Sequence, residues 1–398
     1  MFKSKKLWSL IIMAVMVLAL SACGKKDDNK EASNTDDKTP ITKEDDNKEE
    51  KTGAGKTPIA KEKFKVGVIH IGNPADGAGY TYAHDQGIVA MQAALGLADE
   101  QIIRKNNVND TDAVAIRTAI EECIEEGANI IFGTSWGYMD TMEQLAAEYP
   151  EIVFSHGSGY KSNETNFNNY FGRIYQARYL AGIAAGMKTE SDMIGYVAAM
   201  GIDNSEVTGG INAFALGVES VNPDAKVYVK VTNTWFDPTL EGQAAEALLD
   251  MGCDVIAQHA DTTAPQMAAQ ARGAFGCGYN SDMTKDAPQA HLTAPIWNWG
   301  VYYTKAAKAV MEGTWTNENY FGGMDDGLVD VSPLSANCAP GTQEAIDAAK
   351  KKIIEGFKIF EGSLTDNAGN EVCKAGEFIS DGDITGAMNW YYKNVEVK

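Results

Sequence analysis

The sequence predicts an α/β fold of two doubly wound parallel-sheet lobes, and three observations predict it. Short apolar runs alternate with helix-compatible stretches from Lys65 to Tyr279. The runs are nearly continuous in apolar residues, as strands buried on both faces must be. Roughly 335 residues follow a polar N-terminal segment, more than one small core takes and natural for two domains.

Taken in order, Lys65–Ile71 is the first strand; it runs into the turn Gly72–Gly79, and a helix follows from about Tyr82 to Leu95. Ile102–Arg104, Asn129–Gly133 and Ile152–Ser155 are strands, with helices at Asp112–Glu126, Asp140–Tyr149 and Tyr175–Met187 between and after them. Met193–Ala198 restarts the series. Strands at Lys226–Thr232, Val255–Gln258 and Phe275–Tyr279 then alternate with helices at Val207–Val221, Pro238–Met251 and Ala264–Ala274. The two series separate near Lys188–Asp192. The expected division is 1–22 signal peptide, 23–62 lipidated tether, 63–187 first lobe with return segments from about 325–398, and 188–324 second lobe.

The N-terminus predicts the address. Lys3, Lys5 and Lys6 precede the apolar run Leu7–Leu20, which is too short for a membrane span and suits a signal peptide. Leu20-Ser-Ala-Cys23 reads as a lipobox, so Cys23 is expected to carry lipid and tether an extracytoplasmic protein to the cell membrane. Between Gly24 and Glu62 nine lysines nearly balance eleven acids, and large apolar residues are almost absent. Such a segment cannot offset the entropy of ordering itself. The formal net charge of -21 therefore belongs to the folded part, which argues against binding nucleic acid by charge.

Five cysteines remain after Cys23. An odd number cannot all pair and the spacings match no metal knuckle, so free thiols are expected, with Cys253–Cys277 and Cys338–Cys373 as alternative pairings. Neither a metal nor a cofactor is expected: the five histidines are scattered, and no Walker or dinucleotide loop occurs.

In open parallel sheets a ligand sits beyond the carboxyl ends of the strands. Those ends carry Tyr80, Tyr82, Trp136, Tyr138, Trp235, Phe236, Trp297 and Trp299, including four of the seven tryptophans. Tryptophan at the strand tips of both lobes suits a stacking surface for a flat or ring-shaped ligand. Asp237, Asp261, Asn280 and Asp282 supply polar groups for its edge, with His84 nearby; Asp237 before Pro238 equally reads as a helix cap. Gly133-Thr-Ser-Trp-Gly137 matches the nucleophile elbow G-x-S-x-G and leaves a serine hydrolase through Ser135 as an alternative. A sugar receptor and a surface sensor that feeds no transporter are the others. No enzyme activity is expected.

Several stretches carry a family resemblance: Gly79-Tyr-Thr-Tyr-Ala-His-Asp-Gln-Gly87, Gly172-Arg-Ile-Tyr-Gln-Ala-Arg-Tyr-Leu-Ala-Gly182, Trp235-Phe-Asp-Pro238 and Gly327-Leu-Val-Asp-Val-Ser-Pro-Leu334. From about Phe64 to the C-terminus the chain resembles the basic membrane protein family, substrate-binding lipoproteins of ABC importers whose characterised members bind purine nucleosides. The resemblance implies a type I periplasmic-binding-protein architecture and partners in a permease and an ATPase. It implies Tyr80 and Trp235 as the aromatics on the two faces of the base, and Asp261 as the acid on a hydroxyl or ring nitrogen. Asn280 and Asp282 would face ribose. The chain departs from the family's first loop, with Ala78-Gly-Tyr-Thr-Tyr-Ala-His-Asp85 in its place. Extra bulk from Trp136, Tyr82 and Trp297 is expected to shrink the cavity in favour of a free purine base.

Overall fold

The computed structural model describes residues 53–398. The signal peptide, the lipidation at Cys23 and the tether as far as residue 52 lie outside the described residues. Residues 53–62, expected to belong to the tether, are part of the folded body: Trp315 N donates to Gly55 O, Ile59 N to Met311 O, and Ala54 is buried.

The first series is β1 Val66–Ile69, α1 Gly79–Leu95, β2 Ile102–Lys105, α2 Ala113–Glu125, β3 Ile130–Gly133, α3 Met139–Glu148, β4 Val153–Gly157, β5 Phe167–Gly172 and α4 Ile174–Lys188. The second is β6 Met193–Ala198, α5 Ser205–Glu219, β7 Lys226–Val231, α6 Pro238–Asp250, β8 Val255–His259, α7 Ala264–Ala271, β9 Phe275–Cys277 and β10 His291–Thr293. Then follow β11 Pro295–Trp297, α8 Gly300–Glu312, β12 Tyr320–Gly322, β13 Val329–Val331, α9 Thr342–Ile354, β14 Leu364–Thr365, β15 Glu371–Cys373, α10 Asp381–Gly386 and β16 Val395–Val397.

Two six-stranded sheets result, ordered β12-β5-β4-β3-β1-β2 and β10-β9-β8-β6-β7-β16. Every strand pairing within both sheets is parallel. The continuous apolar runs explain this: all four residues of β1 and of β3 are buried, so helices must cover both faces. Each sheet is an α/β doubly wound layer, with strand order reversing between β1 and β3 in one and between β6 and β8 in the other.

β5 was not expected. Phe167-Asn-Asn-Tyr-Phe-Gly172 carries two adjacent asparagines where a buried strand would favour apolar residues, yet it is an inner strand. Its polar side chains are satisfied: Asn168 Nδ2 donates to Glu318 O at 2.8 Å, and Asn169 Nδ2 donates to Lys161 O at 3.1 Å. Strand pairing also divides the chain differently from the expected boundary near 324. β12 adds to the first sheet beside β5, α8 packs on α1, and β16 adds to the second sheet beside β7. The chain passes between sheets through α4 and again through β11 and β13, which pair with each other antiparallel. All five cysteines of the described residues are free thiols, and no described helix is long and apolar enough to cross a membrane.

Helices α4 and α5 meet more closely than side chains would allow. A Cβ on Gly217 would lie 2.0 Å from Tyr179 O, and one on Gly182 would lie 2.1 Å from Phe214 O. Glycine at both positions lets the two backbones touch where the first crossing helix joins the second lobe. Gly217→Ala must push the helices apart, and such overpacking costs about 1–3 kcal/mol. Denaturant unfolding of the variant is expected to show that loss, and an unchanged midpoint would contradict the contact.

Candidate functional site

The carboxyl ends of the strands from both sheets line one cavity of about 890 Å³. The first sheet contributes Tyr80 from the start of α1, Ser135 and Trp136 after β3, Ser158 and Tyr160 after β4, and Phe171 on β5. The second contributes Glu206 at the start of α5, Trp235 after β7, Asp261 after β8 and Tyr279 after β9. The positions after β1, β3, β6 and β8 flank the two points where strand order reverses, where an open parallel sheet leaves a crevice.

The two lobes touch at the rim of this cavity. Gly79 has φ of 81°, and a Cβ there would lie 2.4 Å from Asp261 O across the cleft. Only glycine suits both the left-handed backbone and the close approach.

Of the residues expected at the site, Tyr80, Trp136, Trp235 and Asp261 line the cavity. Trp136 is 56% exposed and sits 5.8 Å, ring to ring, from Tyr160. The structure does not bring the others to the cavity wall. His84 lies one helical turn behind Tyr80, with Nδ1 2.5 Å from Tyr303 Oη and its ring stacked on Trp299 at 4.4 Å. Trp297 stacks in turn on Trp299 at 4.3 Å. A column of rings thus runs from the crossing strand β11 to the edge of Tyr80, 4.3 Å from His84. Tyr138 is fully buried and donates to Val108 O at 2.7 Å, so it is core. Tyr82 is not among the residues that line the cavity. Asp237 caps α6, accepting from Thr239 N and Leu240 N at 2.9 Å. Asp282 accepts from Thr284 N and Oγ1 in a local turn. Asn280 acts from behind: its Nδ2 donates to Asp261 Oδ1 at 2.7 Å. The expected shrinkage by Tyr82 and Trp297 is therefore absent, and the volume suits ligands of nucleoside size as well as a bare base.

The cavity is acidic. Asp110, Asp203, Glu206 and Asp261 line it, and among the described residues no lysine, arginine or histidine does. Burial pushes the Asp261 carboxyl up to about 8 against the opposing hydrogen bond from Asn280. Burial also pushes Glu206 up to about 7, with the Arg178 charge opposing. Burial raises the Tyr80 phenol well above its ordinary value and holds His84 well below its own. Ser135 has extended backbone (φ −124°, ψ 146°), and its hydroxyl donates to Asp110 Oδ2 at 2.7 Å. His156 Nε2 lies 2.7 Å from the carbonyl oxygen of Ser135, not from its hydroxyl. This is not the strained turn and imidazole contact of a nucleophile elbow. Among the described residues no group of three or more His, Cys, Asp or Glu could hold a metal.

Sequence reasoning missed Phe171, because β5 was not recognised, and Glu206, which stands just before the expected start of a helix at Val207 and is in fact in the first turn of α5. An acid in the first turn of a helix directly after a strand was the available signal for Glu206. It also missed Thr385 of α10, a C-terminal helix that reaches the cavity.

A family model described as ABC transporter substrate-binding protein PnrA-like matches residues 63–362. The chain belongs to this family. Members of the PnrA-like family are the solute-binding components of ABC transporters, not enzymes, so a small-molecule ligand and transporter partners follow for this chain. It is 39% identical to a purine-binding protein of Brucella abortus over 338 residues, 85% of this chain and 94% of that one. It is 37% identical to a Haloferax volcanii protein named for glucose binding in an ABC transporter, over 74% of this chain and 73% of that one. In fold it resembles solute-binding proteins of ABC transporter systems from Conexibacter woesei (TM-score 0.63, 18% identity, 74% of this chain and 97% of that one) and Aeropyrum pernix (TM-score 0.62, 19% identity, 74% and 92%).

The cap and core roles are separable from binding. Asp237→Ala removes the α6 cap and is expected to cost about 0.5–2 kcal/mol of stability. Ligand affinity should be unchanged. A denaturant titration and calorimetry on the same variant check both, and a tenfold loss of affinity would return Asp237 to the site.

Proposed function

We propose that this protein is an exported, lipid-anchored receptor that captures a purine base or nucleoside and hands it to the permease and ATPase of an ABC importer. The observation that carries the reading is a cleft with aromatic side chains on both lobes, Tyr80 and Phe171 opposite Trp235 and Tyr279, edged by carboxyl groups and free of basic side chains. The 39% identity to a purine-binding protein supports it.

Stacking on an aromatic side chain is worth about 1–3 kcal/mol per base. Two faces supply about 2–6 kcal/mol, short of the approximately 8.2 kcal/mol of a micromolar complex. Hydrogen bonds to the carboxyl edge supply the remainder, and each buried polar atom of the ligand must find a partner there. Closing the lobes over the ligand excludes water and presents one shape to the permease. The close approach of Gly79 to the Asp261 backbone is one contact that such a closure would involve. Cys23 would hold the receptor at the membrane.

The acidic lining makes a further discrimination. A phosphate group would enter a cavity with four carboxyl-bearing residues and no cation to pair with it, and an unpaired buried charge is strongly disfavoured. The expected result of calorimetry is therefore binding of purine bases or nucleosides and none of the corresponding nucleoside monophosphates. A hexose is the competing ligand class, because the same rings can stack a pyranose and the Haloferax relative is named for glucose. Binding of glucose with no response to any purine would replace the purine reading.

Trp235→Ala is expected to weaken purine binding by at least about tenfold, equivalent to about 1.4 kcal/mol. Its melting temperature without ligand should be unchanged, since Trp235 is only half-buried. Unchanged affinity would remove Trp235 from the site.

A further inference from the structure

Each lobe presents a tryptophan beside an aspartate to the same cavity. On the first lobe Ser135 Oγ donates to Asp110 Oδ2 at 2.7 Å, and Trp136 is the next residue; all three line the cavity. A Cβ on Gly137 would lie 2.1 Å from Asp110 O, so the loop after β3 is seated directly on Asp110. Tyr160 stands 5.8 Å from Trp136, ring to ring, and both rings are exposed. On the second lobe Asp261 N donates to Trp235 O at 2.9 Å, which ties that pair together.

These carboxyl groups have acceptor capacity to spare. Among the described residues Ser135 Oγ is the one donor on the Asp110 side chain, and Asn280 Nδ2 is the one on that of Asp261. An ionised carboxylate has room for about four hydrogen bonds. Arg178, which does not line the cavity, lies behind the Tyr279 ring at 3.8 Å and gives Nη1 to Gln258 O. It serves the second lobe. Lys161, next to Tyr160 in sequence, is engaged by Asp140 and Glu143 at 2.9 and 2.6 Å. No base among the described residues pairs with Asp110. Exposed aromatic faces beside a carboxylate short of donors attract an organic cation, and tryptophan attracts it most strongly of the rings.

Resting on the purine reading, we infer that the cleft prefers purine nucleosides whose ring carries a positive charge, those alkylated on a ring nitrogen, over their neutral parents, and that Trp136, Tyr160 and Asp110 hold that charge. Alkylation of a ring nitrogen makes the purine a cation and leaves it flat, so it can still stack between the lobes. Stacking alone does not separate the charged ring from the neutral one. The electron-rich faces and the carboxylates do, and no base in the lining repels the charge. A neutral ring leaves the spare acceptors of Asp110 to water at the open side of the cleft.

Calorimetry on the protein at mildly acid pH tests this with two cationic probes, 7-methylguanosine and 1-methyladenosine, each beside its neutral parent. The methyl groups lie on opposite sides of the ring system, so a clash at one edge does not silence both probes. At least one probe is expected to bind about tenfold or more tightly than its parent. That ratio should fall as sodium chloride rises from about 0.05 M to about 0.5 M, because salt screens charges at an exposed site. A gain from the bulk of the methyl group alone would not respond to salt in this way. Asp110→Asn keeps an oxygen for the Ser135 hydroxyl and should remove most of the advantage with the melting temperature of the free protein unchanged. Trp136→Leu should do the same, since Trp136 is 56% exposed and holds no core. Neutral parents bound as tightly as both cations at low salt would overturn the inference while leaving the purine reading intact. So would a ratio unchanged in both variants. No purine bound, charged or neutral, would defeat the purine reading and this inference with it.

Discussion

Every pairing in the two large sheets is parallel, and that single constraint decides where this protein can act. Parallel strands end on the same side, so each sheet has one edge where loops leave for the next helix. Strand order reverses within each sheet, and the diverging loops open a crevice at that edge. Both edges border one cavity, and the residues that follow β1, β3, β6 and β8 have little choice but to face it. The aromatic rings and the acids are placed there by topology first and by their own chemistry second.

Glycine and aromatic packing then hold the two lobes in register. Gly182 and Gly217 remove the side chains that would keep α4 from α5, and Gly79 lets the first lobe reach the backbone of Asp261. Between them the rings of Trp297, Trp299 and His84 stack nearly face to face, with interplanar angles of 12° and 13°, and meet the edge of Tyr80. The crossing strand β11 and the cavity-lining Tyr80 are therefore parts of one packed column. Tyr80 gains a fixed orientation from rings that never touch the cavity.

Much of this was legible in the sequence, and the failures have physical causes. The strand and helix alternation marked nearly every element of both series, because strands buried on both faces leave unbroken apolar runs. Tyr80, Trp136, Trp235 and Asp261 reach the cavity because they stand immediately beyond a strand or at the first turn of the next helix. Tyr138 and His84 sit further along, where helical geometry turns them inward to the core. Asp237 and Asp282 answer to local backbone N–H groups before any ligand. β5 was hidden by asparagines whose partners, Glu318 and Lys161, lie far off in the chain or in a neighbouring loop. Long-range closure is equally invisible to a local pattern: β12 returns to the first sheet, β16 to the second, and α10 lends Thr385 to the cavity wall.

The central claim is that a purine ring lies between the aromatic faces of the two lobes, with its edge on the carboxyl groups of the second. A crystal structure of the protein grown with adenine tests it most directly. The account predicts a planar ligand stacked against Tyr80 or Phe171 on one side and Trp235 on the other, with nitrogen atoms within hydrogen-bond distance of Asp261 and Glu206. A ligand bound instead in the separate cavity of about 470 Å³ lined by Arg173, Phe357 and Phe378, with the aromatic cleft empty, would contradict it.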